Sequence, residues 1–133
     1  MKARAMKNLF LSAVIAVTAA ACGPDPGDIV YDLQTPNTND GALHFVYRAP
    51  VGDEIGLMTA ECSGCRIFTH RVSAQEVRGI LVGTGALPSA SVLRVGVGDI
   101  RDPSVYTVQL RQVAATDNSL RSSMNGYRLV PVP

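Results

Sequence analysis

The segment Cys62-Ser63-Gly64-Cys65 sets two thiols three positions apart. That spacing serves a redox dithiol, half of a zinc site or a short structural bridge. A redox dithiol needs its first cysteine at a helix N-terminus, where the dipole and free backbone donors lower the thiol pKa. Here Arg66-Ile67-Phe68-Thr69-His70-Arg71-Val72 follows, a β-branched and aromatic run that reads as a strand. Arg66 alone is placed to favour a thiolate. A structural zinc site needs four ligands, and only His44 and His70 are left to join the two thiols, without the usual spacing of a second half-site.

Other candidate chemistry is thin. Asn37-Thr38-Asn39-Asp40-Gly41 gathers several oxygen ligands, as calcium loops do, but no bidentate Glu follows at the twelfth position. An Asp-Gly turn is the expectation there. His44 and His70 fall inside strand-like runs, where a lone histidine is more often a surface or packed residue than a ligand. Gly83-Thr84-Gly85 lacks the lysine and the following helix that a phosphate cradle uses, so it reads as a loop. Neither Gly-x-Ser-x-Gly nor His-Glu-x-x-His occurs.

The compartment bears on the thiols, and the first residues speak to it. Lys2, Arg4 and Lys7 precede the apolar run Leu9 to Val17, with no acidic residue among them. That is the order of a secretory signal, and the run is too short for a membrane-spanning helix of about 20 residues. It ends at Ala19-Ala20-Ala21, Cys22 and Gly23-Pro24. Small residues before a cysteine resemble the lipobox of bacterial lipoproteins, with Ala19 where Leu is commonest. The resemblance implies cleavage before Cys22, a diacylglyceryl group on its thiol and acylation of its new amine. Ordinary cleavage after Ala21 is the alternative, since an Ala-x-Ala site is also present. Two or three acyl chains meet the need for more than one lipid in stable anchoring. With Cys22 acylated, Cys62 and Cys65 remain as an even pair in an oxidising compartment, and a disulfide between them is the economical expectation.

Removal of residues 1–21 takes both lysines and Arg4 away. The remaining chain carries nine arginines and eleven acidic residues, 9 − 11 = −2. Its arginines are scattered singly along the sequence, which argues against nucleic acid as a partner. Gly23 to Gly27 reads as a short extended tether.

The elements that must position any site are strands. Ile29, Tyr31 and Leu33 alternate with polar or smaller neighbours, as do Leu43, Phe45 and Tyr47, and Tyr106, Val108 and Leu110. Further β-rich runs lie at Ile55–Ala60, Arg66–Val72, Val77–Val82, Ser91–Val97 and Tyr127–Val132, giving about eight strands with turn chemistry between them. Asp117 to Met124 is the one stretch that offers a helical turn, with Asp117 as its cap. Many short strands without alternating helices predict an all-β, antiparallel two-sheet β-sandwich, jelly-roll or immunoglobulin-like.

Leu33 to Phe45, with its Thr-Pro-Asn-Thr-Asn-Asp-Gly loop, and the closing Gly126-Tyr127-Arg128-Leu129 resemble short secreted or lipid-anchored bacterial β-sandwich domains, loosely cohesin-like. That resemblance implies a jelly-roll sandwich and, in the cohesin case, binding to protein partners. It carries over no binding residue.

The expected organisation is a signal peptide at 1–21, a lipidated tether at 22–27 and a β-sandwich at 28–133. The expected role is a non-enzymatic binding or structural module anchored in the cell envelope, with a protein partner and neither cofactor nor metal. Gly23, rather than Asp, after the cysteine leans toward the outer membrane, facing periplasm or surface. Two alternatives stand beside it. One is a thiol-redox factor using Cys62 and Cys65. The other is a carbohydrate or small-ligand binder, for which Tyr31, Tyr47, Tyr106 and Tyr127 are poorly placed because they fall mostly on predicted core faces.

Overall fold

The computed structural model describes residues 23–133. Cys22 and the signal segment lie outside the described residues. Eight strands run in chain order: β1 (Gly27–Gln34), β2 (Asp40–Arg48), β3 (Met58–Ala60), β4 (Arg66–Ser73), β5 (Glu76–Val82), β6 (Ser91–Val97), β7 (Thr107–Ala115) and β8 (Arg128–Pro131). They form two four-stranded sheets, β3-β6-β1-β8 and β4-β5-β2-β7. Every pairing is antiparallel. The chain is therefore the all-β two-sheet sandwich that its period of two predicts.

The inner faces meet as the alternation requires. Ile29, Tyr31 and Leu33 of β1 and Leu43, Phe45 and Tyr47 of β2 are all buried, with Val77 and Leu81 of β5 and Leu93, Val95 and Val97 of β6. Each full burial of such a side chain contributes about 1.5–3 kcal/mol. β7 follows the rule with one interruption. Its pairing with β2 shifts between His44 and Phe45, so that Gln112 faces His44 while Leu110 faces Phe45. One extra residue on β7 moves the inward positions from Tyr106, Val108 and Leu110 to Val113 and Ala115.

Gly79 sits in the middle of β5, where a glycine weakens a strand. It lies opposite Phe45, and a Cβ there would meet Cε1 and Cε2 of that buried ring at 2.8 Å. The ring fills the space a side chain would need.

Several local expectations need correction. Regular pairing in the Ile55–Ala60 run covers only Met58–Ala60. Ile55 is buried in the core, and Gly56 and Leu57 exchange bonds with Gly96 instead, Gly56 N–H to its carbonyl at 2.7 Å and Gly96 N–H to that of Leu57 at 2.8 Å. Asp117 to Met124 is not helical: Ala115 N–H reaches Ser119 O at 2.8 Å and Asn118 takes φ 69°. Asp117 caps that tight turn by accepting from Ser119 N–H at 3.0 Å. A short 3₁₀ turn forms instead at Pro103–Val105, capped by Asp102. Asp40-Gly41 is not a turn either, since it opens β2. Gly27, read as tether, already pairs with Val97.

Candidate binding face

Cys62 and Cys65 stand at disulfide distance, with Cα atoms 5.4 Å apart, in the turn between β3 and β4. Gly64 takes φ +73°, a conformation that favours glycine, and Cys65 N–H bonds back to Cys62 O at 3.2 Å. The next element is β4, not a helix, so no helix dipole acts on either sulfur. Both side chains pack partly against the core.

His44 and His70 lie on β2 and β4, as expected, and the sheet brings them to one face. Across the outer face of β4-β5-β2-β7, one row runs Phe68, Ile80, His44, Gln112 and the next runs His70, Arg78, Val46, Gln109. Two shallow hollows, about 360 and 210 Å³, both include His44 and Arg78 in their lining. Phe68 is 60% and Ile80 46% exposed. Arg111 borders the larger hollow. Among the described residues neither Arg66 nor Arg111 has an ionic partner, and Glu76 is drawn to Arg48 at 2.8 Å with Arg78 at 3.9 Å. Exposed apolar and basic side chains are interleaved across this face, with Phe68 on its edge strand.

The opposite sheet contrasts with it. There Arg94 is held by Glu61 at 2.8 Å and Asp28 at 3.4 Å, and Glu61 is kept below the usual carboxylate range by its hydrogen bond from Arg94. That charge is already satisfied.

The Asn37–Gly41 segment holds a buried carboxylate rather than a calcium ligand set. Asp40 is 1% exposed. Its Oδ1 accepts from Arg121 Nε at 3.1 Å and Nη2 at 3.0 Å and from Tyr127 Oη at 2.8 Å, while Thr35 Oγ1 donates to Oδ2. Asn37 Nδ2 in turn reaches Tyr127 Oη at 2.6 Å. These groups consume the oxygens a cation would use. Among the described residues no group of three or more His, Cys, Asp or Glu could hold a metal. Gly83-Thr84-Gly85 is a loop beside β2 and β7.

All four tyrosines are buried. Tyr31 and Tyr47 share a hydroxyl hydrogen bond of 2.7 Å, and Tyr47 stacks on Tyr106, whose hydroxyl donates to Asp53. They form core, not a platform for sugar rings.

The sequence pattern alone does not single out Phe68, Ile80, Arg78 or Arg111. A signal existed for the first: Ile67 and Phe68 are adjacent, so a strand must show one of them to the outside.

No family model matches the chain, and no curated protein matches it. Among solved structures it is similar to the cohesin module from a Clostridium perfringens family 33 glycoside hydrolase, with a TM-score of 0.59 and 10% identity over 80% of this chain and 84% of that one. The shared property is the fold: a cohesin-like β-sandwich.

Proposed function

We propose that this chain is a lipid-anchored protein of the cell envelope whose β-sandwich is a non-enzymatic binding module for a protein partner. The observation that carries the binding role is the outer face of β4-β5-β2-β7. Exposed Phe68 and Ile80 sit there among Arg66, Arg78, Arg111, His44 and His70. Exposed apolar side chains interleaved with arginines are the composition of a protein interface. Burial of the four tyrosines argues for protein over carbohydrate, and the strand after Cys65 argues against a thiol-redox role. Anchoring is supported by the order of charge, apolar run, small residues and Cys22 in the sequence, and the outer membrane by Gly23 after the cysteine.

The test places a photo-reactive residue at Phe68, or at Val30 on the opposite sheet, in the full chain in its native cells. A discrete protein adduct from position 68 and none from 30 is expected, and Cys22→Ala releases the chain from the membrane fraction. Equal labelling at both positions, or none, overturns the binding face. Retention of Cys22→Ala with unchanged mass and processing overturns the anchor.

A further inference from the structure

A sheet edge is a row of unpaired backbone donors and acceptors, and the four edges of this sandwich differ. β3 and β8 have three and four residues. β7 is closed over its second half by the following turn, through Ala115 N–H to Ser119 O, Arg121 N–H to Val113 O and the bridge between Ala114 and Leu120. β4 has eight residues, pairs among the described residues on one side only, with β5, and is exposed at every position except half-buried Ile67. Its ends are defined. The Cys62–Cys65 turn fixes one, and at the other the pairing with β5 shifts between Arg71 and Ser73 while Ile55 N–H bonds Ala74 O at 3.0 Å.

Charge decides what could add to that edge. β4 carries Arg66, His70 and Arg71 and no acidic residue. Arg78 stands opposite His70 on β5. Arg71 spends its guanidinium on the carbonyls of Ile55, Ser73 and Ala74, none of which neutralises it. A second copy pairing through β4 brings four arginines to one seam with no carboxylate on either strand, a repulsive arrangement that keeps such edges from self-association. A strand bearing carboxylates meets the opposite situation. Phe68 and Val72, 60% and 48% exposed, ask for apolar residues between those charges.

We propose that the edge of β4 between Arg66 and Val72 accepts an extended, acidic and apolar segment of a protein partner as a fifth strand of its sheet. Backbone bonds supply the pairing, and alternate side chains supply the choice of partner. This rests on the reading of the domain as a protein-binding module, and it names where on the module the partner lies and by what chemistry.

The experiment uses the full chain and three synthetic peptides: one repeating Glu-Thr-Val-Thr, so that glutamate and valine alternate along one face as Arg66, Phe68, His70 and Val72 do along β4, one with lysine in place of glutamate, and the glutamate form with a central proline that removes a backbone donor. Binding is followed by fluorescence anisotropy and located by amide hydrogen exchange. The glutamate peptide is expected to bind at least about tenfold more tightly than either control, a gap of about 1.4 kcal/mol. Its binding weakens as salt rises, and it slows exchange within β4. The double variant Arg66→Glu, Phe68→Ser loses that binding while keeping its β circular dichroism. No binding, equal binding of the two charge forms, protection outside β4, or β4 protected by self-association without peptide each overturns the proposal. A Phe68 adduct found in cells alongside any of these leaves the protein-binding reading standing and removes only the strand-addition mode.

Discussion

Asp40 lies where the β1–β2 connection and the 116–127 segment meet, and its single charge is matched by four hydrogen bonds from Thr35, Arg121 and Tyr127. A buried carboxylate loses its hydration and must recover it from such partners. Arg121→Ala leaves the charge in place and takes away its cationic donor. Because the Arg121 side chain is itself 22% exposed, some solvent reaches the gap. The expected loss is about 2 to 4 kcal/mol in urea unfolding with an unchanged denaturant slope; a loss below about 0.5 kcal/mol would show that the pair is only a surface contact. Little of this was legible beforehand. Asn37-Thr38-Asn39-Asp40-Gly41 has the composition of a turn, and its partner Arg121 is 81 positions away, a pairing that local pattern does not encode. The surrounding alternation places His44 and His70 in strands, but their meeting on one face depends on the β4-β5-β2 order.

Strands were the most readable level, because burial of one face imposes a period of two that survives in the sequence. β1, β2, β4, β5 and β6 fall within a few residues of their expected places. Departures arose where another force overrode the pattern. β3 is short because Gly56 and Gly96 let two backbones approach outside regular pairing, and β7 changes phase at its bulge. The Cys62–Cys65 turn belongs to this scale, since it joins β3 to β4. Alkylation of the chain extracted from its native cells without reduction is expected to leave both thiols unlabelled and linked within one peptide, with label entering only after reductant. The double variant Cys62→Ser, Cys65→Ser should still fold and lose at most about 2 kcal/mol, as suits so small a loop. Efficient catalysis of disulfide exchange by the native chain would instead restore the redox alternative.

At the scale of the molecule, the tyrosines couple stability to alkaline pH. Burial, with the hydrogen bond to Asp53 next in size, pushes Tyr106 up to about 12, and burial raises Tyr31 and Tyr47 as well. A raised folded-state pKa means that the native chain holds protons the unfolded chain has released. Stability is therefore full below the usual tyrosine value near 10 and falls as pH climbs from there through 12. Tyrosinate absorbance and β circular dichroism followed together should show ionisation delayed beyond pH 10 and accompanied by unfolding. Reversible ionisation near 10 with the β signal intact would contradict the buried tyrosine core. The position of β1 has a mechanical consequence. It enters the domain at Gly27 and lies between β6 and β8, with six register pairs to one and four to the other. A pull on the segment before Gly27 acts along the strand axis, so those pairs are strained side by side and must slip together, where an edge strand peeled from its end would open one pair at a time. Resistance to such tension is set by the height of the unfolding barrier rather than by equilibrium stability, and this topology places the load on a central strand held from both sides.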